Sequence, residues 1–346
     1  MTITILNQKF TLGEVWKIKG SLIWMIMSPQ KIVNFLQVKI SLLRKNVSVN
    51  GYPYVLMIEA SSFCDMVCPM CPIEMEGTMR KRGEMAYEKF KNLMEEIGDT
   101  TMAICFWNFG EPLLNKNIFR MIREAKKYNI FTAISTNLLS LNDCQKQEKL
   151  MECGLDYLII SFDGATQDTY EKFRGKGNFY PVLTNLKELL VLKRKKSLKL
   201  PFVNLQFIIM KDNEKEISLI RNMSKELGVD KLSLKKFTYI GNNAESFLPE
   251  NSDYILGKHK SVTNMNRCAR PWDSTVISWD GEVLPCCGDL NFSYKHGNCF
   301  GEDSFETIWN SKRYKTFRKR VLDDINNIPM CKTCPSTDFT TDMFVE

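Results

Sequence analysis

The stretch Ser61–Pro72, SSFCDMVCPMCP, puts Cys64, Cys68 and Cys71 inside eight residues. Core cysteines pack singly as small hydrophobes and do not crowd into a proline-containing loop. At C-x3-C-x2-C spacing each thiolate can take one iron of a cubane cluster, because a short loop wraps one face of it. The fourth iron then has no protein ligand, and an open position on a metal is where substrate or cofactor binds. The competing reading is a zinc site completed by a histidine. The only histidines, His259 and His296, are both far from the loop in sequence.

The chain has 346 residues, 44% hydrophobic and 25% charged, enough for one large domain and a smaller one with a substantial core. Its twelve cysteines follow a start without the basic, apolar and small-residue order of a signal peptide. A reducing, cytoplasmic setting is therefore expected, where clustered cysteines serve metal or redox chemistry and not a disulfide framework. A formal charge of +7 fits an anionic small substrate or a membrane surface and does not call for nucleic acid. The longest apolar candidate, LIWMIM at 22–27, is far too short to span a bilayer.

Residues 1–50 read as a basic, amphipathic segment. Ser28-Pro29 suits a helix start, and Ile32, Phe35, Leu36, Ile40 and Leu43 keep helical spacing among Lys31, Lys39, Arg44 and Lys45. The expectation is a helix packed outside the main domain by that apolar stripe, with a weak membrane-surface contact as the alternative. Residues 51–240 alternate six β-rich runs, at 54–60, 102–108, 130–135, 156–162, 202–209 and 231–237, with helical patterns. Six such units predict an α/β fold, a partial (β/α)6 TIM-like barrel with right-handed crossovers. Ligands then sit at the carboxyl ends of the strands, where the cysteine loop falls. A linker at 241–262 leads to 263–346, which holds six of the twelve cysteines, a hairpin signal at Asp280-Gly281 and a helix near 303–322. That last part reads as a small domain held by metal more than by its own core.

From about Tyr54 onward the sequence resembles the radical S-adenosylmethionine (radical SAM) superfamily. The family's C-x3-C-x-aromatic-C loop matches Cys64, Cys68 and Cys71, with Met70 where an aromatic residue is commonest. NFGEPLL (108–114) resembles its Gly-Gly-Glu-Pro loop, with Phe109 replacing the first glycine. The resemblance implies that Gly110, Glu111 and Pro112 lie by the SAM amino group. It also implies that Ser135 and Asn137 contact its ribose and carboxylate, that Ser161 and Asp163 reach its methionyl or ribose part, and that Arg174 sits near its carboxylate. Gln206 points toward the same place by strand pattern alone. SAM would chelate the open iron, and one electron would split its sulfonium into methionine and a 5′-deoxyadenosyl radical that abstracts hydrogen from a substrate.

Cys268, Cys286, Cys331 and Cys334 offer two ligands from a hairpin region and two from a C-x2-C knuckle, which on spacing alone fits zinc or an iron–sulfur cluster. Beside a radical SAM core they resemble the SPASM and twitch extensions in shortened form, which implies one auxiliary [4Fe–4S] cluster and hence two clusters in all. Cys287, next to a ligand on a strand, is expected to point the other way. Cys299, Cys105, Cys144 and Cys153 read as buried thiols. The four-cysteine pattern resembles that of aminocyclitol dehydrogenases. This implies an oxidoreductase that takes hydrogen from a small polar, sugar- or cyclitol-like substrate and passes an electron to the auxiliary cluster. A ferredoxin or flavodoxin would then serve as one-electron donor. The alternatives are a peptide- or protein-modifying SPASM maturase and, from another class, a zinc-stabilised binding protein without catalysis.

Overall fold

The structure is a computed structural model that describes residues 2–5, 8–11, 17, 18, 20, 23, 28–71, 80–175, 179–238, 244–256, 268–332, 334 and 342–344. His259, most of the 22–27 stretch and most of the tail after Cys334 lie outside the described residues. A hairpin of β1 (Thr2–Ile5) and β2 (Gln8–Thr11) comes first, followed by α1 (Pro29–Leu43).

The six β-rich runs become β3 (Val55–Ile58), β4 (Ala103–Phe106), β5 (Phe131–Thr136), β6 (Tyr157–Ser161), β7 (Phe202–Ile208) and β8 (Lys231–Lys235). Between them run α2 (Tyr87–Ile97), α3 (Ile118–Lys127), α4 (Cys144–Glu152), α5 (Gln167–Arg174), α6 (Phe179–Lys195) and α7 (Ile217–Leu227). The helical spacing is realised in packing: α2 buries Phe90, Leu93, Met94 and Ile97, and α3 buries Ile118, Met121, Ile122 and Ala125. β3, β4 and β6 are apolar almost throughout, as parallel strands covered on both faces are, whereas β5, β7 and β8 set Thr, Ser, Asn, Gln and Lys among their apolar residues.

The C-terminal part supplies α8 (Arg270–Asp273), β9 (Ser274–Ile277), β10 (Val283–Leu284), α9 (Phe305–Trp309), α10 (Lys312–Asp324), α11 (Pro329–Lys332) and β11 (Asp342–Phe344). It extends the barrel sheet. The strand order is β10-β9-β3-β4-β5-β6-β7-β8-β11, parallel from β9 to β8, with β10 and β11 antiparallel at the two edges. The six expected strands thus become seven parallel ones, because β9 adds in register to β3, Met57 against Val276.

The C-terminal part is also held by more than metal. Trp272, Phe305, Ile308, Trp309 and Tyr314 belong to the same apolar core as the barrel. The Trp272 indole donates to the Asn46 carbonyl at 2.7 Å and that of Trp309 to Gly51 at 2.9 Å. Arg318, fully buried against the Trp309 and Tyr314 rings, donates to Pro271 O (2.8 Å) and Val47 O (3.1 Å). The described part of the 241–262 stretch packs too, with Ala244 buried and Phe247 edge-on to Phe173.

α1 starts after Ser28 with Pro29 in its first turn, as the sequence predicts, but it is turned over. Its buried residues are Lys31, Asn34, Val38 and Ser41, while Ile32, Val33, Leu36, Ile40 and Leu43 are exposed. Lys31 donates to Tyr128 O (2.7 Å) and Asn129 O (3.0 Å), satisfying carbonyls at the end of α3, and Asn34 bonds Tyr52 O and Thr100 O. Loop carbonyls lie on that side of the barrel, so polar side chains and not the apolar stripe face it. Inside the barrel the amino end is filled by Phe131, Tyr157, Phe202 and Ile18. The carboxyl end stays open.

Candidate active site and cysteine loops

The cysteine loop leaves β3 and is gripped by glycines from two other loops. Gly110, at φ +72°, follows β4, and a Cβ there would stand 2.1 Å from Ser61 O. Gly175, at φ +67° after α5, would place a Cβ 2.1 Å from Val67 O. Only glycine allows both the left-handed backbone and the close approach. The next amide, Glu111 N, donates to Phe63 O at 2.7 Å.

The Glu111 carboxylate is buried and accepts from Leu113 N (3.0 Å), Thr136 Oγ1 (2.7 Å) and Asn137 N (2.8 Å). Burial pushes it up to about 7 despite those donors. Asn137 in turn donates to Asp65 Oδ1 at 2.7 Å and reaches Cys64 Sγ at 3.8 Å. Asp163 is fully buried, paired with Arg174 and accepting from Ile208 N at 2.8 Å. Arg174 also reaches Cys68 Sγ at 3.9 Å, and its Nε has no hydrogen-bond partner. Burial pushes the Cys64 thiol up to about 12, so its thiolate needs the positive charge that iron brings.

Beyond the loop lies a cavity of about 990 Å³ along the open end of the barrel. Cys68, Cys71, Met70, Ser135 and Arg174 line one side, and Arg270 and Cys287 the other. Glu111, Asn137 and Asp163 are not on its wall. They stand one layer behind, holding the loop and the strand ends in place. Ser161 closes β6, half-buried, in register with Gln206, which does line the cavity. Lining residues that the sequence reading did not place at the site include the inward strand positions Met57, Cys105 and Ile159, and Trp107 just past the end of β4. The signal for them was the alternation of strand side chains.

At the far side the fold gathers the second cysteine set. Burial pushes the Cys268, Cys286 and Cys331 thiols up; Cys334 stands close enough to Cys268 and Cys331 to add to the rise, and Cys268 does the same for Cys286 and Cys331. Cys334 N donates to Cys331 O at 3.1 Å, the turn of a C-x2-C knuckle. Cys286 and Cys287 lie past the end of β10, where the chain bends and turns, and not on an extended strand: Cys286 Sγ accepts from Gly288 N at 3.3 Å, and Cys287 Sγ, on the cavity wall, from Arg270 at 3.3 Å. Cys299 and Cys153 are thiols bonded to Gly281 O and Leu150 O, whereas Cys144 opens α4 in solvent, against the expectation that it is buried. His296 stacks on Tyr314 at 3.9 Å and burial pushes it down to about 3, so it is a neutral core ring. Among the described residues no three His, Cys, Asp or Glu side chains converge as a single metal ion would require. The first set of thiols, on a loop gripped by Gly110 and Gly175 with Arg174 beside Cys68, and the second, with Arg270 beside it, have surroundings that suit an anionic multi-iron group.

Residues 58–222 match the profile of the radical SAM superfamily, and residues 268–335 match the iron–sulfur cluster-binding SPASM domain. The chain is a radical SAM protein with a SPASM domain.

Its radical SAM domain binds S-adenosylmethionine and a [4Fe–4S] cluster, and its SPASM domain binds auxiliary iron–sulfur clusters. The tungsten-containing aldehyde ferredoxin oxidoreductase cofactor-modifying protein of Pyrococcus furiosus is 25% identical over 319 residues, which cover 82% of this chain and 87% of that protein. A PqqA peptide cyclase of Bradyrhizobium diazoefficiens is 22% identical over 310 residues, 80% of this chain and 78% of the cyclase. Among solved structures, BtrN in complex with AdoMet and 2-DOIA shares the fold at TM-score 0.55 and 21% identity, covering 86% of this chain and all of BtrN. SuiB of Streptococcus suis, bound to precursor peptide SuiA, does so at TM-score 0.61 and 15% identity, covering 83% of this chain and 71% of SuiB.

In this radical SAM protein the glycine replaced by Phe109 has a structural counterpart. Phe109 packs on Phe292 of the SPASM part, ring centroids 6.1 Å apart, and Arg80, paired with Glu59, lies 3.8 Å above the Phe292 ring. The side chain that departs from the family motif thus joins the two parts of the molecule. Among the described residues no helix is long and apolar enough to cross a membrane.

Proposed function

We propose that this radical SAM enzyme is an oxidoreductase that removes hydrogen from a small polar molecule held between two iron–sulfur clusters. The observation that carries the reading is the single cavity whose wall includes Cys68 and Cys71 at one side and Arg270 and Cys287 at the other. In it Cys64, Cys68 and Cys71 hold the SAM-binding [4Fe–4S] cluster, and Cys268, Cys286, Cys331 and Cys334 hold one auxiliary [4Fe–4S] cluster. Met70 offers a soft apolar face to the adenine, and Ser135 and Arg174 offer polar contacts to the rest of SAM. Gly110, Glu111, Pro112, Asn137, Ser161 and Asp163 hold the strand ends that present them.

When bound, SAM with its cluster would supply the hydrogen-atom acceptor and the auxiliary cluster would take up the second electron, the accompanying proton passing to solvent, so that the substrate loses two electrons and two protons in all. The chain's own task is to align the groups and exclude competing reactants, which the filled amino end of the barrel and the apolar walls of the cavity do. The electron donor is of the ferredoxin or flavodoxin type, and the setting is cytoplasmic. Residues 1–50, 51–240, 241–262 and 263–346 serve as N-terminal segment, core, linker and auxiliary part.

The test is anaerobic. Reconstituted protein is expected to hold about eight irons per chain, falling to about four when either cysteine set is changed to alanine. It should also move deuterium from a labelled sugar or cyclitol pool into 5′-deoxyadenosine. Zinc in place of iron would end the proposal. A second reading, peptide modification, is favoured by the PqqA peptide cyclase relative. Deoxyadenosine labelled by a peptide and by no polyol would decide for it.

A further inference from the structure

The apolar stripe of α1 is turned to solvent and held there. Ile32, Val33, Leu36, Ile40 and Leu43 are between 44% and 81% exposed. At 3.6 residues per turn they fall within one arc of about 100°, and the buried Lys31, Asn34, Val38 and Ser41 fall within the opposite arc. The helix cannot roll its stripe inward without breaking the bonds that fix its other face. Lys31 donates to Tyr128 O and Asn129 O, Asn34 Oδ1 accepts from Tyr52 N at 2.7 Å, and Ser41 Oγ accepts from Asn50 N at 3.1 Å. An amphipathic helix ordinarily gives its apolar side to the core; this one presents it outward.

The charge along the segment has one sign. No Asp or Glu occurs between Ser28 and Gly51, a stretch that carries Lys31, Lys39, Arg44 and Lys45. Lys31 is engaged with its two carbonyls and Lys39 stands 3.9 Å from Asp273, whereas Arg44 and Lys45 are exposed where the helix ends. Lys312 and Arg313, also exposed, open α10, which is tied to the same segment because Asn310 bonds both Val49 N and Val49 O at 3.0 Å. One carboxylate, Glu306, lines the groove beside Val33 and Gln37. Ile23, ahead of the helix, is exposed as well.

Area and charge choose among the possible occupants. A helix of 15 residues offers a strip about 22 Å long and about 10 Å wide, some ~220 Å², well short of the ~800 Å² per partner of a stable protein interface. A second copy would also bring its own Arg44 and Lys45, with no carboxylate of the helix to answer them. A phospholipid surface accepts an apolar helix face at its acyl boundary and meets flanking cations with anionic headgroups. We infer that α1 docks the protein reversibly on an anionic phospholipid bilayer, lying flat with Ile32, Val33, Leu36, Ile40 and Leu43 toward the acyl chains and Arg44 and Lys45 among the headgroups. The contact is peripheral, and it does not depend on the reaction assigned to the cavity.

The test is flotation of the reconstituted full chain with vesicles of phosphatidylcholine plus phosphatidylglycerol, and with vesicles of phosphatidylcholine alone. Binding should be at least about tenfold stronger to the anionic vesicles and should weaken as salt is raised. Leu36→Glu with Ile40→Glu should weaken binding by at least about tenfold, and Arg44→Glu with Lys45→Glu should remove the preference for anionic vesicles. All four side chains are exposed, so these variants should keep the parent's iron content and Tm. Leu36→Gln with Ile40→Gln, which adds no charge, should move binding in the same direction. No binding to either vesicle, equal binding to both, or variants that bind like the parent would overturn the inference. So would a dimer in sedimentation velocity that Leu36→Glu with Ile40→Glu dissociates, since the stripe would then belong to a second copy.

Discussion

Glu111 gives the sharpest handle on the site, because its carboxylate is buried and tied to three donors on the loop that seats the cysteines. Unfolded, it titrates near 4.5; folded, burial holds it up to about 7. Below pH 4.5 both states are protonated and there is no penalty. As pH rises toward 7 the unfolded chain ionises first, so stability falls across that window and the penalty is complete above it. At about 1.4 kcal/mol per pH unit the loss is about 3 kcal/mol, roughly 4 °C in Tm for a chain of this length. Glu111→Gln removes the titration. It keeps an oxygen for Leu113 N and Thr136 Oγ1 but turns an amide against Asn137 N–H, which costs about 1–3 kcal/mol at every pH. The variant should therefore melt below the parent at pH 5, and the gap should close or reverse by pH 8. Anaerobic melts of the reconstituted proteins in parallel buffers read this directly, and a gap that stays constant from pH 5 to 8 would refute the argument.

Other consequences follow from single contacts. Gly110→Ala or Gly175→Ala forces a Cβ onto a loop carbonyl 2.1 Å away, so the SAM cluster should be lost and iron should drop from about eight to about four per chain while the auxiliary signal persists. Arg270→Gln removes a half-buried cation beside the auxiliary thiols, and that cation favours the more negative reduced state, so the potential of that cluster should fall in a redox titration followed by electron paramagnetic resonance; an unchanged potential would remove Arg270 from its surroundings. Arg318→Met leaves the carbonyls of Val47 and Pro271 without their buried donor and should lower stability by about 2–4 kcal/mol, seen as a reduced Tm.

The contrast between the cysteines and α1 shows what a single sequence carries. Cys64, Cys68 and Cys71 were legible because ligand spacing is local, and the strand after which they fall was legible because both faces of a parallel strand are apolar. The face that α1 buries was not. Its apolar stripe predicted one side, but the ground it meets is the carbonyl-rich amino end of the barrel, and Lys31 and Asn34 answer that ground better than leucine does. In FVNLQFI the alternation pointed Gln206 toward the site, and Gln206 lines the cavity, whereas in KLSLK it had nothing to tell a solvated face from the inside of an open barrel. Hydrophobic pattern reports that a surface is covered; only the fold reports whether the other face meets water, a loop or a ligand.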